Sequence, residues 1–195
     1  MEDLQTMIQK TVLELELDDV VQQTVFTGIA NALAISNSKF QEYCSSPELQ
    51  QKYDKDPETV DEEVQIYNDM GKKMGSIFRN AYDSRDEFES LGEQAEKLRD
   101  NLADSFTEIY VLLLSNQAYS DFIAKKVEGL ADLGEEELEK LEQEGEEGIV
   151  NRTKEFAKEF VDKLEVKDET KTYLVSQSEF LARQFIAVDK RSSYF

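Results

Sequence analysis

Residues 60 to 81 read VDEEVQIYNDMGKKMGSIFRNA, and within them Val60, Val64, Tyr67, Gly71, Met74, Phe78 and Ala81 recur in alternating steps of four and three. That is the 3.5-residue period of a helix that keeps one stripe turned to a partner helix. The series skips Arg85, resumes in phase at Phe88, Leu91, Ala95, Leu98 and Leu102, and continues more loosely through Phe106, Ile109 and Leu113. Around Tyr110 to Leu114 the pattern is apolar on every side, which predicts the centre of a core. No proline follows Pro57, so two readings stand. One is a single helix from Glu58 to Val127, about 105 Å long at 1.5 Å per residue. The other is a hairpin turning at Tyr82 to Asp86, where capping residues cluster and the stripe is interrupted.

Upstream of this stretch, a short helical pattern covers residues 3 to 16. Asp18 and Asp19 then offer a cap for a helix to about Tyr43, with Val21, Val25, Ile29 and Ala32 on one face and Gly28 placed for a close crossing. Ser46-Pro47-Glu48 and Asp56-Pro57-Glu58 each set a capping side chain before a proline at the first helical position. Met70 to Gly75 contains a G-x-x-x-G, which in this polar context points to a close backbone approach. Downstream, two amphipathic patterns carry Phe156, Phe160 and Leu164, then Leu174, Leu181, Phe185 and Val188, the second starting near Asp168. The fold class read from this is all-α: a helical bundle or long helical hairpin with a coiled-coil-like heptad seam and a C-terminal helix pair. The expected organisation is a helical body over 1–127, an acidic Gly/Glu-rich connector over 128–148, and the helix pair over 149–195.

Charge narrows the function. With 43 acidic against 22 basic residues the chain carries −21, which repels phosphate backbones and anionic lipid headgroups, so direct nucleic-acid or membrane binding is not expected. Only 6 of the basic residues are arginines, the usual planar phosphate forks. Histidine is absent, and with it the Ser-His-Asp and Cys-His arrangements and the common zinc motifs. No glycine-rich phosphate loop occurs, and Cys44 is the only cysteine, so no internal disulfide can form. Asp54 to Gln65 resembles a calcium loop only loosely, with Thr59 at the glycine position and Gln65 at the bidentate one. No catalytic residue, cofactor or metal is assigned. Without a signal-peptide pattern or an apolar run long enough to span a bilayer, a cytoplasmic location is expected.

The reading of function is a non-enzymatic protein-protein interaction or assembly protein, a helical adaptor or scaffold. Its partner is another protein, either a second copy of the chain or a basic protein. The seam would supply the contact through Tyr67, Met74, Phe78, Phe88 and Leu98, the competing reading being that these side chains pack only within the monomer. The alternative is an acidic charge mimic that inhibits a basic nucleic-acid-binding protein. It rests on the −21 over 195 residues with few compensating arginines; within Gly134 to Gly148, GEEELEKLEQEGEEG, Glu135, Glu136, Glu137, Glu142 and Glu144 are candidate contacts if the run is more than a mobile connector.

Overall fold

The computed structural model describes residues 4–47, 49 and 57–192, and in the last helix it describes side chains through residue 184 and at 186. Six helices carry the argument: α1 (Leu4–Leu13), α2 (Asp19–Cys44), α3 (Val60–Asp83), α4 (Gln94–Glu128), α5 (Glu135–Val161) and α6 (Asp168–Ser192). Short 3-10 segments, Asp86–Leu91 and Gly129–Asp132, precede and follow α4. No strand occurs among the described residues, and the fold is all-α with bundle-like packing.

The helix starts follow local chemistry. Asp18 caps α2, its Oδ1 accepting the N–H groups of Val20 at 3.1 Å and Val21 at 3.0 Å. Ser46 Oγ accepts the Leu49 N–H at 3.3 Å, in keeping with the cap read there, while Glu48, Asp54 and Asp56 lie outside the described residues. Helix α3 begins at Val60 rather than at Pro57. Thr59 Oγ1 accepts the Glu62 N–H at 3.2 Å, and the Glu62 carboxylate accepts the Glu58 N–H at 2.9 Å, a reciprocal capping pair.

The single helix from Glu58 to Val127 is not what forms. Helix α3 stops at Asp83, Arg85 is extended at φ −118°, and the 3-10 segment ends at Gly92 with φ 54° before α4 begins. The apolar series is not one helical seam across this break, but its Phe88 and Leu91 are still core residues, delivered by 3-10 turns instead of α-turns.

Two compact units divide the chain, and each is assembled from two separate stretches: 1–57 with 69–110, and 58–68 with 111–195. The first unit is centred on Val12, Val25, Ile29, Phe78, Tyr82, Phe88, Leu98, Leu102 and Phe106. The Phe78 and Phe106 rings meet edge to face at 4.5 Å, and Tyr82 and Phe88 stack at 3.6 Å with 6° between their planes. The Phe88 ring lies over Gly28, where a Cβ would come within 2.8 Å of it. At Gly75 an added Cβ would sit 3.1 Å from the Ala103 carbonyl oxygen and closer still to Thr107 Oγ1, so here the G-x-x-x-G marks a real close crossing of α3 and α4. Arg79 bridges to Asp100 (3.2 Å) and Asp104 (2.6 Å), and Arg99 to Asp83 (3.0 Å) and Asp100 (3.1 Å), so the two helices run antiparallel here.

The second unit gathers Val64, Val111, Tyr119, Ile123, Ala157, Phe160, Val161 and Leu164. Asn68 is buried at its edge and acts as a backbone surrogate. Its Nδ2 donates to the Lys163 carbonyl at 3.0 Å and its Oδ1 accepts the Glu165 N–H at 2.9 Å, so one side chain closes the loop between α5 and α6. Tyr119 donates to the Leu174 carbonyl at 3.0 Å, tying α4 to α6.

Two expectations are corrected. Tyr110 to Leu114 is not the centre of a core: the run straddles the division between units, and Leu113 is 67% exposed. Residues 128–148 are not a connector without secondary structure, because helix already starts at Glu135, breaks at Gly145 and resumes to Val161. Glutamate is a good helix former, and repulsion between neighbouring carboxylates costs only a few tenths of a kcal/mol per pair. Burial of Leu141, Gly148 and Val150 on the inner face outweighs it. The glycine-rich composition shows up instead as a kink at Gly145, whose φ of 63° and ψ of −147° suit a residue without a Cβ.

Replacing Asn68 with alanine removes both hydrogen bonds, to the carbonyl of the half-buried Lys163 and the N–H of the exposed Glu165, and should cost the second unit about 1–2 kcal/mol. Denaturant unfolding measures the loss, and faster amide exchange at Glu165 locates it.

Candidate interaction surfaces

The residues singled out on the seam are core residues. Met74, Phe78, Phe88 and Leu98 are all buried in the first unit and therefore offer no contact surface. Tyr67 is half-buried against the core of the second unit, and its hydroxyl donates to Glu63 Oε1 at 3.0 Å. Burial, and then that carboxylate, push the Tyr67 phenol up to about 12.

The five glutamates of the acidic run behave differently. Glu135, Glu136, Glu137, Glu142 and Glu144 are all exposed on the N-terminal half of α5, with Glu139 and Glu147. Leu138 is half-buried and Leu141 buried, so the carboxylates project from a packed helix. Glu147 is held by Arg183 at 3.0 Å, and Arg183 also grips Glu179 at 3.0 Å, which Lys154 meets at 2.6 Å. These pairs tie α5 to α6 through Glu147 and Lys154.

A third surface was missed by sequence reading. Helices α1 and α2 flank an open groove of about 410 Å³ lined by Leu4, Ile8, Phe26, Ile29, Ala30 and Leu33, with Gln5 and Gln9 on its edge. Gln9 also belongs to a shallower depression with Thr6, Lys10, Leu13 and Glu14. Of the large hydrophobic side chains exposed among the described residues, Leu4, Leu13 and Val20 all belong to this hairpin, Val20 at 76%. The signal was available: no charged residue occurs from Leu4 to Gln9 or from Val20 to Ser38, in a chain that is 33% charged. On α6, Tyr173 and the 60%-exposed Phe180 stand one heptad apart on the outer face.

No family model, curated protein or solved structure matches this chain.

Among the described residues no group of three or more cysteine, aspartate or glutamate side chains is placed to hold a metal ion, and no helix is long and apolar enough to cross a membrane. Four of the six arginines serve the fold: Arg79, Arg85, Arg99 and Arg183 each pair with carboxylates. Cys44 is half-exposed, and burial pushes its thiol up, the reverse of what a nucleophile needs.

The most perturbed carboxylate lies beside the Phe88 turn. Glu87 is held down to about 2, first by the Arg85 guanidinium, then by its own backbone N–H and by Asn31 Nδ2 at 3.3 Å, with burial working the other way. A carboxylate lowered in the folded state contributes stability that is complete above its unfolded value, near 4.5, and is lost as pH falls through about 2. The difference in urea midpoint between wild type and Glu87→Gln should therefore be constant above about pH 5 and shrink towards pH 2. A difference that grew on acidification would contradict the pairing.

Proposed function

We propose that this chain is a non-enzymatic protein-protein interaction or assembly protein, a helical adaptor working in the cytoplasm. The observation that carries the reading is the uncharged, partly apolar face of the α1–α2 hairpin. A chain of −21 that exposes Leu4, Leu13 and Val20 around an apolar groove keeps open a patch that solubility alone would favour filling with charge. The contact is assigned to this face because the heptad stripe is consumed by the two cores.

The second reading, an acidic mimic that occupies the basic groove of a nucleic-acid-binding protein, is favoured by a different observation. Glu135 to Glu144 is helical with its glutamates exposed, so the run presents a helical array of negative charge.

Affinity capture from the native source at low and at high salt separates the two. For an adaptor, the partner should remain bound at high salt, and glutamine at Glu135, Glu136, Glu137, Glu142 and Glu144 should change its affinity by less than about threefold. A partner that is released by salt and lost from the five-glutamine variant would make the charge mimic the function.

A further inference from the structure

We infer that the groove between α1 and α2 binds one amphipathic helix of a partner protein, with an apolar stripe seated against Ile8, Phe26 and Leu33 and lysine or arginine residues at the end that meets the α1–α2 turn. The inference rests on the adaptor reading and names what its surface takes.

Three observations define the occupant. The first is size. The ten-residue α1 is about 15 Å long at 1.5 Å per residue, so its groove accommodates two to three turns of helix and anchors spaced i, i+3 or i+4, and i+7. The second is polarity. The lining is Leu4, Ile8, Phe26, Ile29, Ala30 and Leu33, and its polar edge is the neutral pair Gln5 and Gln9, so only an uncharged stripe can seat there without stranding a charge. The third is charge. The turn that closes one end of the hairpin exposes Glu14, Glu16, Asp18 and Asp19, with Lys10 the one cation on the described part of α1. Glu14 and Leu13, with Thr6 and Lys10, line the depression that shares Gln9 with the groove, so the groove adjoins this end of the hairpin.

The charge also decides among occupants. A second copy of the chain brings another −21 to the contact and is repelled at long range, whereas a basic helix is steered in by the same field. Attraction brings the partner to the hairpin, and the uncharged groove then holds it by burial of apolar surface.

The probe is a fluorescent, amidated leucine-lysine peptide of about 18 residues with leucines at helical spacing, set against the same leucine pattern with every lysine replaced by glutamate. Fluorescence anisotropy should show the lysine peptide binding at least tenfold tighter at low salt, and raising the salt should reduce that advantage without abolishing binding. The decisive variant is Leu4→Gln with Ala30→Gln. Both positions are exposed and helical, so melting and net charge should stay as they are while affinity falls at least tenfold. Glu14→Gln with Asp19→Asn should lower affinity severalfold at low salt and little at high salt. Replacing the five α5 glutamates with glutamine should change it less than threefold. The groove assignment is overturned if the α5 variant loses the peptide while the Leu4/Ala30 variant retains it. It is equally overturned if sedimentation shows a dimer that the Leu4/Ala30 variant dissolves, since the occupant is then a second copy. Failure of both peptides to bind also rejects it. Because peptide binding is measured apart from partner capture, a native partner that withstands the Leu4/Ala30 variant would leave the adaptor reading standing without the groove.

Discussion

The position of Phe88 governs the first unit. Its ring lies flat against Tyr82 at 3.6 Å and over Gly28, joining the end of α3, the 3-10 segment and the middle of α2 in one contact. An aromatic pair of this kind contributes about 0.5–1.5 kcal/mol beyond the area it buries. Its larger effect is directional. By turning a side chain of the reversal inward, it converts what could have continued as α-helix into a turn that is itself part of the core. Arg85 and Glu87, which flank the turn, then have fixed positions from which to pair, and Asn31 of α2 completes the site.

Charge is handled by separation. Carboxylates on α3 and α4 are neutralised along one edge by Arg79 and Arg99, each serving two carboxylates. Lys163 meets Asp61 at 2.6 Å, and Lys126 meets Glu159 at 3.0 Å while lying over the Phe122 and Phe156 rings. Exposed pairs of this sort are individually worth well under 1 kcal/mol, so their service is to relieve repulsion where helices must approach. Where no approach is needed, as on the outer face of α5, the negative charge is left in solvent. Where apolar surface lines the groove, along residues 4–9 of α1 and 20–38 of α2, charge is absent.

The sequence was most legible where a single local rule acts. Asp18 was read as a cap because a short acceptor before an apolar run has one obvious use, and it is used so. The stripe from Val60 to Leu102 was correct as a list of inward positions, yet it could not reveal that Val64 and Phe78 enter different cores, since period records a face and not a destination. The run Gly134 to Gly148 was misjudged because its composition resembles a linker while Leu141 and Val150 supply the burial that makes it helix. Asn68 left a weaker trace. It lies four residues after Val64 on the buried side, and a lone amide there implies two backbone groups waiting for it, but nothing local identifies them, for they are 95 and 97 residues away.

That separation extends to the units as wholes. Because residues 58–68 belong with 111–195 and not with their neighbours, no single cut in the chain yields both units whole. During synthesis the first unit has all its residues once position 110 is made, while Val64, Tyr67 and Asn68 have yet to meet their partners, which are still being translated. At about 5–20 residues per second, the remaining 85 residues keep that segment waiting for several seconds. The stretch that opens the longest apolar pattern in the chain thus waits for its partners, with the acidic Asp61, Glu62 and Glu63 in the first turn of its helix.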